Sequence, residues 1–130
     1  MDKERKSPSN RYAHYKSGGK TPQYDYRNYY WGEIKAGDCH QIDGVISFRS
    51  DGVGTFDATV WTDHTTSGDI WHSKFSVNKD DHRPLLDTQT MDSPKTFGAH
   101  APMHGDFLFD PGKFAELPTD YTQVFQLSSC

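Results

Sequence analysis

Seven histidines and eighteen acidic residues are spread over this 130-residue chain, and some recur at spacings suited to proton transfer. Asp57 and Thr59 lie in Val53-Gly54-Thr55-Phe56-Asp57-Ala58-Thr59-Val60-Trp61, and His72 and Lys74 in Ile70-Trp71-His72-Ser73-Lys74-Phe75-Ser76-Val77. Both runs alternate polar and apolar side chains, the period of a strand with one buried face. If the strands pair so that Val60 meets Trp71, Phe56 meets Phe75 on the apolar face. On the other face Asp57 then meets Lys74, and Thr59 meets His72. Inside a barrel lumen, His72 and Asp57 would be a proton-transfer pair, with burial and mutual charge shifting their pKa values. Trp61 would wall such a pocket, and Thr59 and Lys74 would supply polar contacts. Facing water, the same residues read as a cross-strand ion pair beside a solvated imidazole.

His100-Ala101-Pro102-Met103-His104-Gly105-Asp106 is a second group. His100, His104 and Asp106 could form a facial metal triad if the segment is extended or looped. Pro102 and Gly105 oppose a helix, and no Glu follows His100, so the helical zinc motif does not apply. Without a metal, His100 and His104 are acid–base candidates or hydrogen-bonded rim imidazoles. His64 sits in the polar loop from Asp63 to Asp69, where a barrel mouth could carry binding groups. A polar hairpin loop also needs no ligand to explain it. Asp38-Cys39-His40 has the residue types of an activated thiolate, but neighbouring strand residues diverge to opposite faces.

The elements that must position these groups are short, β-branched and aromatic, and Gly, Asp and Asn separate them. Ser50-Asp51-Gly52 reads as a three-residue hairpin loop with Gly52 in the left-handed position. That loop opposes Ile46 to Phe56 and Phe48 to Gly54, whereas a one-residue slip would set apolar faces against polar ones. Further strands are expected through Ile34–Ile42, Leu85–Thr90, Asp106–Phe109 and Thr122–Ser128, with a turn at Asp80–Pro84. Asp110-Pro111 has the form of an N-cap followed by a first-turn proline, so one short helix is expected near 111–117. The fold class is all-β: a small antiparallel β-barrel or a two-sheet sandwich. Residues 1–28 read as a flexible, basic, Tyr-rich tail, and 29–130 as a single β-domain.

The run Trp31-Gly32-Glu33-Ile34, Ala36-Gly37-Asp38-Cys39, Asp51-Gly52, Phe56-Asp57-Ala58-Thr59-Val60 and Ser67-Gly68-Asp69-Ile70-Trp71 resembles a family of small uncharacterised microbial β-domains. The resemblance covers about residues 30–80. It implies a domain start near residue 29 and brings no function or catalytic residue with it.

The net charge of −4 hides an asymmetry. Residues 1–28 hold seven Lys or Arg against three acids, and the body is strongly acidic. An acidic body lacks the clustered cations of a nucleic-acid groove. No apolar run approaches a membrane span, and no apolar segment near the start has signal-peptide form. A cytoplasmic location is therefore expected, with Cys39 and Cys130 as free thiols unless the C-terminus folds back beside residue 39 and lets them pair. The dinucleotide, phosphate-loop, nucleophile-elbow and CxxC signatures are missing, so no cofactor is expected.

These residues suit a small-molecule-binding β-barrel, with Tyr30, Trp61 and Trp71 shaping an aromatic pocket. The residue set leans toward a cofactor-independent isomerase, cyclase or lyase acting by acid–base catalysis on an apolar, secondary-metabolite-like substrate. One alternative is a non-catalytic carbohydrate- or protein-binding sandwich, and another a metal-dependent enzyme built on His100, His104 and Asp106. The partners expected are a small molecule and, as an option, a second copy of the chain, with neither nucleic acid nor membrane. Exposure discriminates: Trp61 and Tyr29–Trp31 on a flat outer surface would favour a binding module, and a concave site ringed by histidines an enzyme.

Overall fold

The computed structural model describes residues 13–20, 23–78, 84–117 and 123–130. In chain order the strands are β1 (His14–Lys20), β2 (Asp25–Tyr30), β3 (Ile34–Ala36), β4 (Cys39–Arg49), β5 (Val53–Thr62), β6 (Asp69–Asn78), β7 (Pro84–Asp87), β8 (Met91–Thr96), β9 (Ala101–Leu108) and β10 (Gln123–Ser129). One sheet has the order β1-β2-β4-β5-β9, with β3 also on β4. The other has the order β10-β6-β7, with β8 also on β6. Every pairing is antiparallel. The architecture is a two-sheet sandwich; the barrel expectation does not hold.

The β4–β5 hairpin has the register its loop predicts, with Ile46 opposite Phe56 and Phe48 opposite Gly54. Gly52 takes φ +95°, a conformation that costs a residue without Cβ little. Arg49 braces the turn from the side, donating two hydrogen bonds to Asp51 at 2.7 and 2.9 Å. Further along, the hairpin departs from simple alternation. Between Ile42 and Val45 the β4 strand carries one extra residue, a bulge at which Asp43 adopts φ 57°. The bulge inverts the alternation of β4. Ile46 and Phe48 face inward beyond it, and Cys39 and Gln41 face inward before it.

The two sheets meet through aromatic rings. Phe56 on β5 and Phe75 on β6 lie 4.6 Å apart between ring centroids, and Trp31 packs on Phe75 at 5.4 Å. Trp71, Phe48, Val60, Val77, Met103 and Val124 complete a core in which each is fully buried. Phe56 and Phe75 are thus neighbours across the sandwich and not along one sheet. The expected β5–β6 pairing, with Asp57 facing Lys74 and Thr59 facing His72, does not form. Instead β5 pairs with β4 and β9, and β6 with β7, β8 and β10.

Two long-range ties fix the sheets further. Cys39 and Cys130 form a disulfide, so the expectation of free thiols is corrected. Their Cα atoms stand 6.4 Å apart although 91 positions separate them in sequence, because β10 brings the end of the chain back beside the start of β4. Next to the bridge, the buried amides of Gln41 and Gln126 bond each other, and Gln126 also reaches Ser73 and Ser128.

The described part of the segment read as a tail is also structured. Residues 14–20 and 25–30 form β1 and β2, with Tyr29 opposite Ile46 and buried, and the Arg27 guanidinium 4.7 Å over the Phe114 ring. The tyrosines of β2 are strand-forming side chains, and they extend the hairpin sheet. Residues 1–12, 21–22, 79–83 and 118–122 lie outside the described residues, and with them all of the turn expected at Asp80–Pro84 except Pro84, which begins β7. The short helix appears as a 3-10 turn over Pro111–Glu116, and Asp110 caps it by accepting a hydrogen bond from Gly112 N–H at 2.9 Å.

Candidate functional site

Strand register assembles most of the candidate residues on one surface, the outer face of the larger sheet. Asp57 lies opposite His104 on β9 and opposite Val45 on β4, which in turn lies opposite Tyr30 on β2. Thr59 occupies the next outward row, between Ile42 and Pro102. Beyond it the β4 bulge sets His40 opposite Trp61. Their rings stack at 4.9 Å with planes 7° apart, and His100 stacks on Trp61 at 3.9 Å. Trp61 is therefore enclosed between two imidazoles. The Nε2 of His40 also meets Asp63 at 3.0 Å.

His104 is the electrostatic centre of this face. Its Nδ1–H donates to Asp57 at 2.6 Å and its Nε2–H to Asp106 at 3.0 Å. Hydrogen bonds to Asp57 first and then to Asp106 stabilise the imidazolium and raise its pKa above the ordinary histidine range. All three side chains are more than half exposed, so water screens the group.

The remaining candidates lie elsewhere. His72 is on the outer face of the smaller sheet, paired with Asp92 on β8 at 2.7 Å, so it cannot share a proton with Asp57. Lys74, also outward there, lies opposite Leu127. With Thr90 and Leu127, His72 and Lys74 border a shallow groove of about 160 Å³. Trp71 is 1% exposed and belongs to the core between the sheets. His64 bridges two carboxylates at the end of the sandwich, Asp38 at 2.8 Å and Asp69 at 2.9 Å. The facial triad is not assembled. His100 stacks on Trp61, while both ring nitrogens of His104 are engaged by Asp57 and Asp106, and four positions of extended chain span roughly 13 Å.

Beside His104 the free edge of β9 borders a cleft of about 430 Å³. Residues 87–91, between β7 and β8, form one wall, and Asp106, Phe107 and Leu108 form the other. Asp106 thus belongs both to the His104 group and to the cleft. Leu108 at its rim is 83% exposed, the most exposed of the large apolar side chains among the described residues. Gly54 beneath leaves room for the inward Phe107 ring, which a Cβ there would strike. The cleft is hidden in the sequence because Pro102 and Gly105 disguise β9 as a loop. Pro102 is tolerated because β9 is an edge strand. Once β9 is recognised, Pro102, His104, Asp106 and Leu108 follow as its outward residues.

The fold and this surface define an antiparallel β-sandwich domain with a polar, histidine-bearing outer face and an edge cleft. The chain belongs to a family of unknown function (DUF6294), whose model matches residues 45–130. The match begins within β4, so Cys39 and Gln41 precede it while their partners Cys130 and Gln126 lie inside it. No curated protein and no solved structure matches the chain. Among the described residues no helix is long and apolar enough to cross a membrane.

Proposed function

We propose that this protein is a non-catalytic binding module that takes a neutral carbohydrate in the cleft between residues 87–91 and β9. The lining of that cleft carries the reading. Asp87 and Asp106 offer carboxylate acceptors, and Thr88, Gln89 and Thr90 add hydroxyl and amide groups. Met91, Phe107 and Leu108 add apolar surface. Alternating acceptors and apolar patches match a ring with hydroxyls at its rim and C–H bonds on its faces. Two carboxylates disfavour an anionic ligand. The volume lies in the ordinary range of small-ligand sites, roughly 300–1,000 Å³.

This reading fits better than acid–base catalysis. Of the aromatic side chains expected to shape a pocket, Trp71 fills the space between the sheets, while Tyr30 and Trp61 stand with the titratable candidates on outer faces. His104, Asp57 and Asp106 are more than half exposed, which weakens their mutual influence on a reacting atom. Trp61 offers no open ring face as a stacking platform, because His40 and His100 cover both. The Cys39–Cys130 bridge supports an oxidising compartment in place of the cytoplasm.

The test is titration of isotope-labelled protein with neutral and anionic oligosaccharides, followed by amide chemical shifts. Saturable shifts confined to residues 87–91 and 106–108 are expected with neutral ligands alone. Asp106→Ala and Gln89→Ala should each weaken binding about tenfold or more, the worth of a hydrogen bond within such a site. Shifts centred elsewhere, or none with any neutral glycan, would sink the reading.

A further inference from the structure

Cys39 begins β4 in the larger sheet, Asp69 begins β6 in the smaller one, and Cys130 follows β10. The two Sγ atoms and one Asp69 carboxylate oxygen all lie within 4.8 Å of one another. Three chain segments remote in sequence thus deliver two sulfurs and an oxygen to one point. In the oxidised protein the sulfurs are bonded to each other. We propose that, once this bridge is reduced, Cys39, Cys130 and Asp69 bind a thiophilic divalent cation, zinc by its chemistry, so that the redox state of the bridge gates a metal site.

Ligand geometry favours this. Zinc takes sulfur at about 2.3 Å and carboxylate oxygen at about 2.0–2.2 Å in a tetrahedral arrangement. Those bond lengths place the two sulfurs about 3.7 Å apart and each about 3.5 Å from the oxygen. The carboxylate oxygen already lies within 4.8 Å of both sulfurs. Once the bond between the sulfurs is reduced they must part by about 1.7 Å, which side-chain rotation from Cα atoms 6.4 Å apart allows. Two thiolates select zinc over magnesium or calcium, which prefer oxygen alone. Asp69 is already oriented as a ligand would be: Thr62 Oγ1–H donates to it at 2.6 Å, and His64 Nδ1 lies 2.9 Å away. Its side chain is only 16% exposed. Three protein ligands leave the fourth position to water.

The chemistry balances. A dithiol reductant gives two electrons and two protons to the Cys39–Cys130 bond and closes its own disulfide, leaving two thiols. Metal binding then releases those two protons as the thiolates coordinate. The same sulfurs serve either the bridge or the cation, so bound metal opposes reoxidation. This site is separate from the proposed carbohydrate cleft and stands whether or not that cleft binds sugar.

Cobalt(II) is the probe, added to the full chain after reduction by a phosphine and anaerobic removal of the excess. One equivalent should give thiolate-to-cobalt charge-transfer bands and tetrahedral d–d bands, which zinc abolishes. Oxidised protein should give neither. Asp69→Asn should weaken cobalt binding at least about tenfold, whereas Asp92→Asn, on the same sheet but outside the cluster, should leave it unchanged. Circular dichroism runs alongside. If reduction abolishes the β signal, one equivalent of zinc should restore it in the unaltered chain and not in Asp69→Asn. Absence of the charge-transfer bands, equal affinity in Asp69→Asn, or zinc failing to restore a lost β signal would each overturn the proposal.

Discussion

Gln41 and Gln126 hold each other across the sandwich by two reciprocal amide hydrogen bonds, 3.1 Å in one direction and 2.7 Å in the other. Both side chains are fully buried. Gln41 belongs to the larger sheet and Gln126 to the smaller, so a polar pair sets the sheets' relative position beside an otherwise aromatic core. Each amide satisfies part of the other's hydrogen-bonding need, and the second N–H of Gln126 is shared between the Ser73 and Ser128 hydroxyls, 3.0 and 2.8 Å away.

Removing both members should cost less than the two single losses added together. Gln41→Leu leaves the Gln126 amide short of partners in a dry setting, and a loss of about 1–3 kcal/mol is expected. The double substitution Gln41→Leu with Gln126→Leu should be less destabilising than the sum of the two single changes. Urea unfolding of the four proteins measures the coupling, and simple additivity would contradict the pairing.

The Cys39–Cys130 bridge closes a long loop, so its reduction should lower stability by about 2–5 kcal/mol. Cys130→Ser should reproduce that loss without reductant. A thiol titration of the denatured, unreduced chain should find no free sulfhydryl. A full complement of thiols there would remove the bridge from the account.

His104 supplies a pH dependence whose sign is fixed. Asp57 and then Asp106 raise its pKa in the folded state. Its contribution to stability is therefore fully present below the ordinary histidine pKa and is lost as pH rises through the higher folded value. Because the group is exposed, the effect on stability is small and shrinks with salt. Proton NMR titration of the imidazole should give a midpoint above that of a free histidine, and Asp57→Asn should bring it down. An unmoved midpoint in Asp57→Asn would remove Asp57 as the main cause.

Gly54→Ala tests the floor of the cleft. The new methyl would strike the Phe107 ring, and overpacking of this kind costs about 1–3 kcal/mol. The displaced ring should reshape the wall, so ligand binding should fall in parallel with the loss in thermal midpoint. Unchanged Phe107 ring resonances in the variant would contradict the contact.

Legibility differed between neighbouring parts of the molecule. The Ser50–Gly52 turn, its register and the inward face of β5 follow from alternation, because any slip would bury polar side chains. Asp57 and His104 were both recognisable as acid–base candidates, yet their partnership was not, since it depends on β9 lying beside β5. His40 beside Trp61 was equally hidden. Without the bulge at Asp43, continuing the hairpin register would set Trp61 opposite Gln41. Asp43-Gly44 is the sequence signal for that bulge, because Asp and Gly tolerate the backbone conformations it needs.

The amino-acid sequence by itself determined the strands of the central hairpin and of β6, with the buried face of Val45–Phe48, β5 and β6, but not β1, β8 or most of β9. Those properties are local, set by period-two patterning and turn chemistry. Tertiary structure decided which strands became neighbours. Phe56 and Phe75 bury the same surface whether they sit side by side in one sheet or face each other across two, so patterning cannot separate the cases. The choice of the second arrangement sent Asp57 and His72 to opposite outer surfaces. It gave Asp57 to His104 and His72 to Asp92. Chain return through β10 then brought Cys130 to Cys39, a meeting that no local property of either residue encodes.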